Sequence, residues 1–121
     1  MYSPQLLDHF EHPRNAGEVP LPDASIQIEN PVCGDILKLT LKLADGRIEQ
    51  IRFLAKGCVH SVACASALTE LIRGKTVAAA RKLNAEQLAH DLGGLPPASF
   101  HAARLALDAL AAALDHLAAK L

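Results

Sequence analysis

Between Ala24 and Phe53 apolar and polar residues alternate with a period of two, and beyond Gly57 the period lengthens to about 3.6. The first regime predicts strands. Ile26 and Ile28 alternate with polar neighbours in ASIQIEN, and the alternation continues through Ile36, Leu39, Leu41 and Leu43. It turns on Asp45-Gly46 and returns through Ile48, Ile51 and Phe53. Asp-Gly between two alternating runs signals a tight hairpin. Ahead of the strands, SPQLLDHFEHPRNAG predicts a short helix with Ser3 as N-cap and Pro4 at its first position. Leu6, Leu7 and Phe10 would form its apolar face, and Pro13 and Gly17 would end it.

The second regime predicts helices only. Cys64, Leu68, Leu71 and Ile72 share one helical face, which stops at Gly74. TVAAARKL and NAEQLAHDLGG predict two short helices opened by Thr76 and Asn84, the second closed by Gly93-Gly94. Residues 96–121 predict a last helix whose Leu107, Leu110, Leu114, Leu117 and Leu121 form one seam for packing on the sheet. Helix, meander and segregated helices describe an α+β domain: a three-stranded antiparallel sheet with helices packed on one face.

Composition narrows the classes. At 121 residues, half of them hydrophobic, the chain suits a single domain spanning 1–121, and three Phe, one Tyr and no Trp make the core aliphatic. Twelve basic against thirteen acidic residues, with no basic run, argue against nucleic acid. No apolar stretch approaches the roughly 20 residues of a membrane span, and the N-terminus lacks the order of a signal peptide, so a cytoplasmic protein is expected. Three cysteines in that compartment suit metal ligation or thiol chemistry better than a disulfide framework.

The candidate chemistry falls at element boundaries. NPVCGDIL sets Cys33 and Asp35 around a glycine, AKGCVHS sets Cys58 and His60 after the last strand, and FHAAR sets His101 early in the last helix. In a meander the first turn and the exit of the third strand share one end of the sheet, so Cys33, Asp35 and Cys58 can converge. Thiolates, imidazole and a carboxylate suit zinc or iron. Gly34 and Gly57 would let the backbone turn and leave the sulfurs unshielded. Spacing alone leaves unliganded loop thiols as an open alternative. Cys64, on an apolar face, is expected to pack as a small hydrophobe, with His60 the better reserve ligand. His9 and His12 are expected to dock the first helix or contact a partner, His90 and His116 to be solvated, and Arg104 and Asp108 to form an i, i+4 pair.

DHFEHPRNAG, PVCGDILKL, IRFLAKGC, LTELIRGKT and LPPASFHAA, in this order, make nearly the whole chain resemble the IscU/NifU N-terminal-domain family of iron–sulfur cluster assembly scaffolds. The resemblance implies a non-enzymatic α+β scaffold or carrier. Such a protein holds a transient [2Fe-2S] cluster, iron or zinc, takes sulfur from a cysteine desulfurase and passes the cluster to acceptor proteins. By position it implies Cys33, Asp35, Cys58 and His101 as ligands. The family's third cysteine follows the histidine; here that residue is Ala102, and zinc suits the remaining donors better than a fully stable cluster does. The family's chaperone-recognition segment reads LPPVK, whereas residues 95–99 read LPPAS, so that partner is not carried over. Two alternatives stand beside the scaffold: a SufU-like zinc-dependent sulfur-transfer accessory of a desulfurase, and a degenerate scaffold homologue acting as a binding module.

Overall fold

Strand pairing in the computed structural model, which describes residues 2–31 and 34–120, follows the period-2 pattern. Strands β1 (Ala24–Glu29), β2 (Ile36–Ala44) and β3 (Arg47–Lys56) form an antiparallel sheet in the order β1-β2-β3. Ala24, Ile26 and Ile28 lie opposite Leu41, Leu39 and Leu37, which lie opposite Ile51, Phe53 and Ala55. Directly opposed residues share a face, so these rows make one apolar surface. Ile36, expected in the same row, has the opposite parity to Leu37 and is only half-buried.

The turn is as the Asp-Gly pair predicts: Asp45 and Gly46 have φ of 54° and 75°, the left-handed pair of a type I′ turn. Just beyond it Leu43 pairs with Ile48 and Lys42 with Gln50, leaving Glu49 as an extra residue. This bulge explains how Ile48 and Ile51, three apart, both reach the buried face.

Helix α1 (Pro4–Glu11) begins at Ser3, whose Oγ accepts the Leu6 N–H at 3.0 Å and donates to the Leu92 carbonyl. Its buried face is Leu6 and His9, not Leu6, Leu7 and Phe10; Phe10 is 38% exposed. The surface that α1 meets explains the difference, because helix α2 (Val59–Ile72) offers the Ser66 hydroxyl there, 2.8 Å from His9 Nδ1. Packed among α1, β3 and the last helix, α2 is buried on nearly every side, and Ala63, Ala65, Ser66 and Ala67 are small enough to allow it. The single face expected from Cys64, Leu68, Leu71 and Ile72 is therefore too narrow, and Leu71 lies at its half-buried margin.

Helix α3 (Val77–Ala80) is capped by Thr76, and α4 (Ala85–Asp91) by an Asn84–Gln87 capping box. The last helix starts later than expected: Pro97–Ser99 form a 3₁₀ turn, and α5 runs Phe100–Lys120. Its buried stripe is built as much from Ala102, Ala103, Ala106, Ala109 and Ala113 as from Leu105, Leu110, Leu114 and Leu117. Leu107 is half-buried, and Leu121 lies outside the described residues. The alanines let α5 lie close over β1 and β2, while α2 covers β3. Arg104 and Asp108 form no ion pair; Arg81 and Asp115, 3.0 Å apart, do. No described helix is long and apolar enough to cross a membrane.

Candidate metal centre

The register that closes the sheet also sets the site. Glu29 pairs with Ile36 and Ile36 with Lys56, so Asp35, just before β2, and Gly57-Cys58, just after β3, leave the sheet side by side. The β1–β2 connection is tied at its base: Asn30 N–H donates to the Asp35 carbonyl and Gly34 N–H to the Asn30 carbonyl, each at 2.8 Å. Gly34 has φ of 75°, the left-handed turn expected of it. Gly57 serves differently from expectation. A Cβ there would stand 2.5 Å from the Asp35 carboxyl carbon, so the glycine provides room for the acid.

Cys58 is the N-cap of α2, and its side chain makes no cap hydrogen bond, which leaves the sulfur free to face Asp35. The Cys58 thiol donates to Asp35 Oδ2 at 3.7 Å, and Ser61, in the first turn of α2, donates its hydroxyl to the same oxygen at 2.5 Å. Cys58 Sγ and Ser61 Oγ are 3.4 Å apart. Asp35 is 5% exposed, and a buried carboxylate needs such donors. The positive end of the α2 dipole points at this pair.

His101 comes from the first turn of α5. Its Nδ1 is 3.0 Å from the Ala98 carbonyl, which can only accept, so in the neutral ring Nδ1 carries the proton and Nε2 keeps its lone pair. A second hydrogen bond that fixes the tautomer is the usual arrangement of a metal-binding histidine. Donor atoms of Asp35, Cys58 and His101 all lie within 4.8 Å of one another, with Asp35 buried and the other two exposed. A cleft of about 280 Å³, lined by Ile28, Glu29, Asn30, Pro31, His101 and Arg104 among others, opens beside them.

The remaining candidates separate clearly. Cys33 lies outside the described residues. Cys64 is fully buried in the core, where burial pushes its thiol up to about 12, so it packs as expected of a small hydrophobe. His60 is in the first turn of α2 rather than in a loop and is not one of the clustered donors. Its ring meets that of Tyr2 edge-on at 5.2 Å, and burial, with His101 nearby, lowers its pKa. Ala102 is 1% exposed, part of the core. His12, His90 and His116 are exposed. Ser61 was not legible as a site residue; the signal for it was its i+3 spacing from Cys58 on the new helix.

The order of elements, the tied first turn and the clustered donors define a class, and the chain belongs to the family of NifU-like N-terminal domains, whose model matches residues 1–121. Among named relatives it is similar to an iron–sulfur cluster assembly scaffold protein IscU of Archaeoglobus fulgidus, 42% identical over 114 residues that cover 94% of this chain and 74% of the relative. It is also similar to the scaffold protein IscU of Haemophilus influenzae, 37% identical over 123 residues, covering 98% and 97%. The crystal structure of a NifU-like protein (N-terminal) from Brucella abortus superposes with a TM-score of 0.78 over 98% of this chain and 95% of that one. At 20% identity that likeness is one of fold.

Proposed function

We propose that this chain is a scaffold or carrier for iron–sulfur cluster assembly, not an enzyme, and that Cys33, Asp35, Cys58 and His101 are its ligands. The observation that carries the reading is the meeting of Asp35, Cys58 and His101 at one end of the sheet from three separate elements. Two thiolates, one carboxylate and one neutral imidazole give a mixed soft and hard set that can hold iron in a transient [2Fe-2S] cluster and that suits tetrahedral zinc better. The names of the relatives support cluster assembly as the purpose. The cluster is cargo, so sulfur would come from a cysteine desulfurase and the product would pass to acceptor proteins.

Anaerobic reconstitution with ferrous iron, cysteine and a desulfurase tests this. The expected result is a thiolate-to-iron absorption that Cys33→Ala or Cys58→Ala abolishes and that fades faster in His101→Ala. No absorption in the parent protein would overturn it. Persulfide on Cys58 without a cluster would replace it with the sulfur-transfer reading.

A further inference from the structure

A second set of donors lies away from the sheet's end, where α1, α2 and α4 meet. His9 is 5% exposed, and its Nε2 is 3.9 Å from Glu70 Oε1 on α2 and 3.9 Å from Asp91 Oδ2 at the end of α4. Those distances are too long for hydrogen bonds, so the Nε2 of a buried histidine faces two carboxylates and hydrogen-bonds to neither. The three donor atoms lie within 4.8 Å of one another.

We propose that His9, Glu70 and Asp91 form a second divalent-metal site, which clamps α1 to α2 and α4. The other ring nitrogen is arranged for it. Ser66 Oγ accepts the Arg14 backbone N–H at 2.8 Å and keeps a lone pair for the His9 Nδ1–H, also at 2.8 Å. Where Nδ1 is the protonated nitrogen, the Nε2 lone pair is directed at the carboxylates, with a hydroxyl fixing the ring from behind.

The charges agree. Arg14 spends its Nη2 on Asp8 at 2.5 Å and keeps its Nε 3.7 Å from the far oxygen of Glu70, Oε2. Asp8 and Arg14 cancel, and the nearby His12 lies against Asp8. Arg14 is shared between Asp8 and Glu70, so the three carboxylates of the cluster outnumber its guanidinium by two, a surplus that a divalent ion would offset. One imidazole and two carboxylates, with open positions for water, suit zinc and ferrous iron. The side chains of Glu70 and Asp91 are 53% and 35% exposed, so they have room to turn toward an ion between them. No thiolate is involved, which separates this site spectroscopically from the first.

The test uses the full chain with Cys33→Ser, Cys58→Ser and His101→Ala, which disables the sheet-end donors, titrated with zinc alone. One equivalent should bind, raise the Tm and shift the His9 Nε2 resonance in imidazole ¹⁵N NMR; cobalt should give d–d bands without thiolate charge transfer. Adding Glu70→Gln and Asp91→Asn, which keep shape, should weaken binding at least about tenfold and abolish the NMR shift. Absence of zinc binding in the first variant, or binding that the amides leave unchanged, would overturn the proposal. A failure of cluster reconstitution would not bear on it, because no sheet-end residue takes part.

Discussion

A methyl group at position 57 would collide with Asp35, which makes Gly57→Ala a probe of the acid that leaves every proposed ligand in the sequence. We expect it to cost about tenfold or more in zinc affinity, measured by chelator competition, because a misplaced ligand costs as much as a misplaced supporting group. Unchanged affinity would remove Asp35 from the ligand set. Ser61→Ala should act in the same direction, since the Ser61 hydroxyl holds the Asp35 oxygen that also faces the Cys58 thiol. Cys64 gives a pH prediction. Its thiol is raised by burial from 9.0 to about 12, so the unfolded chain ionises first as pH rises. The stability it contributes is complete below pH 9.0 and is lost as pH climbs toward about 12. Denaturation across that window should show a fall that Cys64→Ala removes, and thiol reagents at pH 8 should label Cys58 while sparing Cys64 until the chain unfolds. Cys64 was readable as a core residue because it lies on the apolar row with Leu68. Asp35 was readable as a donor, but the role of Gly57 was not, because the clash it avoids involves a residue in the connection before another strand.

Among the elements, those with local signals were the most legible. Ser3, Thr76 and Asn84 each cap the helix they were expected to open, and Asp45-Gly46 makes the turn. Asn84→Ala should therefore destabilise by about 1 kcal/mol in urea denaturation, with little effect on metal binding. Faces were harder to read than boundaries. The apolar side of α1 was misassigned because a buried polar contact, His9 with Ser66, outranks Phe10 when the partner surface is polar. The heptad-like spacing of α5 points to leucines alone, whereas close approach to the sheet selects alanines as well. The bulge at Glu49 escaped because one inserted residue leaves the hydrophobic count unchanged and shifts only the parity.

At the scale of the molecule the meander carried most of the site, since its topology alone puts the β1–β2 turn beside the exit of β3. The distance of α5 from those groups was not legible, and it is the tertiary packing of α5 over β1 and β2 that brings His101 in. Ala102 belongs to this scale as well. It is buried in the core next to His101, at the position where the resemblance implies a cysteine, so Ala102→Cys tests whether the core tolerates a third thiol there. If it does, we expect slower zinc loss to a chelator, by about tenfold, or about 1.4 kcal/mol. Zinc should also raise the Tm of the parent by mass action and leave that of a Cys58→Ala, His101→Ala variant lower at the same concentration. Asp35 and Cys58 are 23 residues apart in sequence, and His101 follows from another helix, so each donor stands where one element gives way to the next. A cargo held there staples three joints of the chain, much as a cross-link would, and stiffens the loaded protein well beyond its own contacts. Under the proposed function, release of the cargo would need only one of these joints to give, with the three strands still paired.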